Sequence, residues 1–242
     1  MATYITLVNQ LLRRLNEVPL DIGGDGFDSV RNVQALAKDA INNATNLIYQ
    51  DGQELPFLKT TYVQSLVAGT NTYDFPADYS NADWESFYLK KTTDINTSPK
   101  ILPVITYEEY LRVHRPLDDQ GSALGRGSPN YIYQTFETKF GVTPLPNDAF
   151  EVEYIYWTFP ADMSVYTDVC PIPDRFNHVI IDGAMMYIMR FRSNDQSAAT
   201  HQSNFEKGIK VMRRMLLDDP LNIKDTMIIR GSHSFTSNSR VF

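Results

Sequence analysis

Apolar residues recur every three or four positions in two stretches near the start of the chain and two near its end. Between them the period shortens to two. Over 3–17, Ile5, Val8, Leu12 and Leu15 mark one helical stripe, which Leu7 and Leu11 widen. Pro19 disfavours helical geometry at Val18 and brings no N–H, so this helix should end near Glu17. The loop 20–27 holds three glycines, and Asp28 or Ser29 then offers an N-cap oxygen. Val33, Leu36, Ala37, Ala40, Ile41, Ala44, Leu47 and Ile48 carry a second helix as far as Gly52. The alanines on that face predict close helix–helix approach.

From about residue 57 to 160 short β-prone runs alternate with turn residues: TTYVQSL, NTYDFP, ESFYLKK, KILPVIT, NYIYQTF, TKFGV and EVEYIYWTF. In the last run Val152, Tyr154 and Tyr156 should face one way and Glu153, Ile155 and Trp157 the other. AGTN (68–71) and PLPND (144–148) are turn chemistry, and GSALGRGSP (121–129) reads as a long flexible loop. ITYEEYLRVHR (105–115) interrupts the pattern, with Tyr107, Tyr110, Leu111 and His114 on one helical face. Helical period returns after Pro173: Phe176, Val179, Ile180, Gly183, Met186, Tyr187 and Phe191 form a face, with Asp174 as its cap. SNDQSAATHQS breaks that helix or begins the last one, which carries Phe205, Ile209, Met212 and Leu216 and ends before Pro220.

The order implies an α+β fold. Residues 1–58 and 170–219 would form one helical bundle, 59–169 an inserted antiparallel β domain, and 220–242 an extended C-terminal tail. No fixed-period repeat is present. The tail joins an apolar patch, Met227, Ile228 and Ile229, to a Ser/Asn-rich stretch with Phe235, ending in Val241 and Phe242. It cannot bury enough surface to fold alone, and strand addition to a partner would satisfy its backbone.

Charge and composition narrow the classes. A net charge of −7 argues against tight non-specific DNA binding by the whole surface. No apolar run is long enough to span a bilayer and no signal peptide is evident, so a cytosolic origin without membrane contact is expected. A single cysteine, Cys170 in VCPIP, forms no internal disulfide and reads as a buried small hydrophobe.

Candidate chemistry is sparse. His114, His178, His201 and His233 are widely separated, with no HExxH or Cys/His pairing, so neither metal nor other cofactor is expected. Asp21, Asp25 and Asp28 around GGDG lack the alternating acids and closing Glu of a calcium loop. GSALGRGSP lacks the ending of a phosphate cradle, and no G-x-S-x-G elbow exists. Glu108/Glu109, Asp118/Asp119 and Asp218/Asp219 are sequence neighbours, which diverge on helices, so no catalytic residue is assigned. Aromatic side chains concentrate in the β region, where core and interface packing is favoured over a sugar- or base-stacking platform. Lys207, Lys210, Arg213 and Arg214 on the last helix, with Arg190 and Arg192 before it, form a basic stripe. It is either a solvated face or a surface aimed at an acidic partner or at passing DNA.

NEVPL after a short helix, the Asp/Gly loop and the alanine-rich second helix resemble the head-to-tail adaptor (connector) proteins of tailed bacteriophages, nearest the tail tubular protein A type of short-tailed phages. YEEYLRV, TPLPND before EVEYIYWTFPADM, and IPDRFNHVIIDGAMMYIMRF fit the same pattern. The resemblance implies a virion neck protein, made in the host cytoplasm. It would form a homo-oligomeric, dodecameric ring between portal and tail nozzle and support fibres or spikes. Genomic DNA would pass its lumen without sequence recognition, and the tail would dock on the portal or a neighbouring subunit. Some adaptors also cleave peptidoglycan, but no constellation here supports that activity. The alternatives are a carbohydrate- or receptor-binding tail module and an adaptor with cell-wall lytic activity.

Overall fold

The computed structural model describes residues 1–21, 27, 28, 30, 32–51, 55–90, 99–119, 125–136 and 138–216. Two cores organise them. The first is helical. α1 (Tyr4–Arg14), α2 (Val33–Asp51), α5 (Asn177–Phe191) and α6 (Asp195–Leu216) meet around Leu7, Leu11, Ile41, Ile48, Ile180 and Phe205. α1 packs on α2 and α5, α2 on α5, and α5 on α6. Ala37, Ala40 and Ala44 lie buried within this core, so their small size serves contacts inside the subunit. Gly183 and Gly208 do the same: a methyl at Gly183 would sit 2.8 Å from Phe205, and one at Gly208 2.7 Å from Val179.

The helix ends differ in detail from the sequence expectation. α1 stops at Arg14, before Pro19 can act. Asn16 takes a left-handed φ of 57°, while Glu17 N–H bonds to Leu12 O (2.9 Å) and Asn16 N–H to Arg13 O (3.2 Å). This is a Schellman stop with asparagine in the place glycine usually fills. Ser193 (φ 56°) ends α5 the same way, and Asn194 Oδ1 then accepts from Ser197 N–H (3.2 Å) to start α6. The polar stretch therefore does both jobs within a tight αα-hairpin. Asp174 is not the cap of α5. It opens a 3₁₀ turn (Asp174–Phe176), and its carboxylate takes the N-terminal ammonium at 2.7 Å, exposed on both sides.

The second core lies between two sheets. β1 (Lys59–Ser65), β3 (Tyr79–Ala82), β4 (Tyr88–Leu89), β5 (Lys100–Ile101) and β11 (Glu151–Thr158) form one, in order β1-β11-β4-β5 with β3 also on β11. β2 (Thr72–Asp74), β6 (Val104–Ile105), β8 (Tyr131–Gln134) and β9 (Lys139–Thr143) form the other, in order β2-β9-β8-β6. Antiparallel pairing dominates. Short parallel pairs join β6 to β8 and β7 (Arg126–Gly127) to β10 (Leu145–Pro146). Val152, Tyr154 and Tyr156 point into the aromatic core, as their alternation requires, with Phe87 stacked on Tyr154 at 4.7 Å. Trp157, on the other face of β11, packs against the helical core, so this strand touches both.

The helical interruption runs longer than the sequence suggests. It comprises α3 (Tyr107–Glu109), a π-helical turn (Tyr110–His114) and α4 (Arg115–Asp118). Its tyrosines cover the outer face of the second sheet, Tyr110 stacking on Tyr133 at 3.9 Å.

Candidate interaction surfaces

Among the described residues no group of three or more His, Cys, Asp or Glu is placed to hold a metal. His114 lies against the Tyr131 ring, His178 Nδ1 is 3.0 Å from Arg175 O, and His201 Nδ1 is 3.3 Å from Asp182. His233 lies outside the described residues. Cys170 is fully buried beside Tyr49, and burial pushes its thiol pKa up, the reverse of what a nucleophile needs.

The acidic neighbours separate as helical geometry requires. Asp118 is buried and accepts from Thr143 Oγ1 (3.1 Å) and Leu145 N–H (3.3 Å), whereas Asp119 turns to Arg115 (3.3 Å). Burial raises the Asp118 pKa, and its two hydrogen bonds and His114 oppose that rise. Its role is to tie the end of α4 to the β9–β10 turn. Asp218 and Asp219 lie outside the described residues, as do Asp25 and most of the GGDG loop, and part of GSALGRGSP.

The basic stripe divides into three places. Arg190 on α5, with Lys210 and Arg213 on α6, lines an open groove of about 480 Å³ between α2, α5 and α6. Its floor is apolar: Leu47, Met186, Phe205 and Ile209. Arg190 donates to Gln202 (2.8 Å), which donates to Glu206 (2.9 Å), so the rim is cross-braced. At 100° per residue Lys207 and Arg214 fall on the outer face of α6, both exposed. Arg192 pairs with Glu17 (3.1 Å) at the end of α1, next to Phe191, which is 74% exposed. The groove was beyond sequence reasoning because Leu47 joins it from the far end of the chain. The tail residues Met227, Ile228, Ile229, Phe235, Val241 and Phe242 lie outside the described residues.

Most aromatic side chains of the β region fill cores, as in the Phe75–Tyr79 stack at 4.0 Å. Phe136 is the contrast, 89% exposed and edge-on to Tyr107 at 4.8 Å beside a hollow lined by Val104 and Gln134. Among the described residues β1 lies at the edge of its sheet, with Tyr62 and Val63 exposed. No helix among the described residues is long and apolar enough to cross a membrane.

Comparison with protein families matches residues 2–224 to the model described as SU10 adaptor protein. Comparison with curated proteins gives no match.

Proposed function

Because the chain belongs to the SU10 adaptor protein family, a family of phage structural adaptors, we propose that it works as a ring between portal and tail nozzle. The observation that carries this reading is the length of the family match, which runs through both helix pairs and every strand between them. In this reading the type is that of tail tubular protein A, the ring is dodecameric, and its lumen extends the DNA channel. Residues 1–58 and 170–219 act as one bundle, 59–169 as an inserted β unit that supports fibres or spikes, and 220–242 as a tail that docks on the portal or a neighbour. The net charge of −7 favours DNA sliding over adhesion. The role is structural, without hydrolysis.

Negative-stain imaging of the full chain mixed with purified portal tests the reading. A closed ring on the portal is the expected result. One copy per vertex, or a peripheral fibre, overturns it. Truncation after Asp219 should abolish portal binding, and undiminished assembly would remove the tail's assigned role. Clearing of a peptidoglycan zymogram, lost on a single carboxylate substitution, would overturn the non-enzymatic assignment.

A further inference from the structure

Around its apolar floor the groove carries three cations, Arg190, Lys210 and Arg213, against one carboxylate, Glu206, which accepts from Gln202. A rim of net positive charge in a chain of net charge −7 suits apolar side chains flanked by carboxylates. The chain itself presents such a segment. After β11, residues 161–169 (ADMSVYTDV) cross the outer side of α2, where Asn42 Nδ2 donates to Met163 O (2.9 Å) and Asn46 Nδ2 to Asp162 (2.7 Å). The Asp168 carboxylate accepts from Ser164 N–H (2.7 Å) and Val165 N–H (2.8 Å), and Asp168 N–H returns to Val165 O (3.0 Å). Those bonds hold Asp168 below the usual carboxylate pKa range, so it stays ionised. Tyr4 N–H then fixes the turn from α1 by bonding to Asp168 O (2.8 Å). At its tip, between Asp162 and Asp168, Val165 is 47% exposed and Tyr166 38%, one edge of the Tyr166 ring meeting Phe27 at 6.4 Å and the rest open to solvent. A tip held this firmly loses little freedom on docking.

The turn and the groove do not overlap. On α2 the groove uses Leu47 while the turn uses Asn42 and Asn46, about 100–140° away around the axis. One copy can therefore use both at once, which is the requirement of a heterologous contact. The geometry points to a self-contact in which the 161–169 turn of one copy seats in the α2–α5–α6 groove of the next. Val165 and Tyr166 meet the apolar floor, and Asp162 and Asp168 face Arg190, Lys210 and Arg213. This inference rests on the ring reading and names the subunit contact within it.

Two double variants of the full chain test it: Lys210→Glu with Arg213→Glu in the groove, and Val165→Asp with Tyr166→Asp in the turn. Sedimentation velocity should show self-association of the wild type weakened about tenfold or more in either variant, the loss expected of central interface residues. Mixed, the two variants should stop at a one-to-one pair, since each keeps one intact half. Wild-type-like association of both variants, or no pairing in the mixture of chains with unchanged circular dichroism, overturns the contact. If the wild type is monomeric alone, oxidation of a Val165→Cys/Gln202→Cys chain assembled on the portal decides, and absence of an inter-subunit disulfide overturns the contact. Rings without that cross-link sink this contact and leave the ring reading standing. Cross-linked chains without closed rings do the reverse.

Discussion

Replacing Gly183 by alanine sets two well-scaled effects against each other. Gly183 lies inside α5, where alanine gains about 1 kcal/mol of helix propensity over glycine. The added methyl, however, would stand 2.8 Å from Phe205 Cε2, 2.9 Å from Phe205 Cδ2 and 3.0 Å from Ala44 Cβ. Phe205 is buried on α6 and Ala44 on α2, so the methyl is pinched between two helices, and only Phe205, at the floor of the groove, has space on one side. Overpacking of this kind costs about 1–3 kcal/mol, and the upper half of that range applies if α2 and α5 must part at Ala44 as well as Phe205 turning toward the groove. The expected net is a loss of about 1–2 kcal/mol, at about 2–4 °C in Tm per kcal/mol for a domain of this size. Thermal melts followed by far-UV circular dichroism read it directly. Phe205→Leu in the Gly183→Ala background should recover part of the loss by removing the ring edge. A Tm at or above wild type for Gly183→Ala alone would show that Phe205 yields freely, and that the close approach of α2, α5 and α6 is not fixed by this glycine.

Asp118→Ala should cost about 1–3 kcal/mol, because the Thr143 hydroxyl and Leu145 N–H lose their acceptor, whereas Asp118→Asn should be tolerated. Since burial raises the folded pKa of Asp118, its ionisation works against folding. The stability of Asp118→Asn relative to wild type should therefore rise as pH climbs through that pKa, and urea titrations showing the opposite slope refute the assignment. Asn16→Ala should lose about 1 kcal/mol and Asn16→Gly almost nothing, since φ is 57° there; equal melts for the two would contradict the left-handed stop. Gly141→Ala should be more damaging than either, because its methyl would run into the Tyr133 ring that stacks on Tyr110, and a native-like melt would argue against that packing. Cys170 should resist thiol reagents until global unfolding, and fast labelling of native protein would contradict its burial.

Local periodicity made the helices and β11 legible. The stripe through Leu7, Leu11 and Leu12 is the buried face of α1, and the odd–even split of β11 holds residue by residue. Stops were harder to read, because asparagine and serine in left-handed geometry carry a weaker signal than the Pro19 that followed. The capping role given to Asp174 failed because a 3₁₀ turn precedes α5 and sets Asp174 three residues ahead of it, and its carboxylate meets the N-terminal ammonium from the other end of the chain. The basic residues likewise take their surroundings from distant parts of the chain. Lys210 and Arg213 acquire a meaning different from that of Lys207 and Arg214 only when Leu47 and Arg190 arrive beside them.

The pairing of β1 with β11 has a consequence for how such a chain can change over time. Lys59 and Trp157 are partners on one rung, so the polypeptide leaves the helices and comes back to them at nearly the same point. Everything between those two residues is, in topological terms, a closed detour. Its closure entropy is met at that single rung and grows only slowly with the length of the detour. Insertions, deletions or a wholesale exchange of the intervening strands would leave the path of α1, α2, α5 and α6 unaltered. The stretch between those two residues can thus be recombined as a cassette, while the helical frame keeps its own wiring.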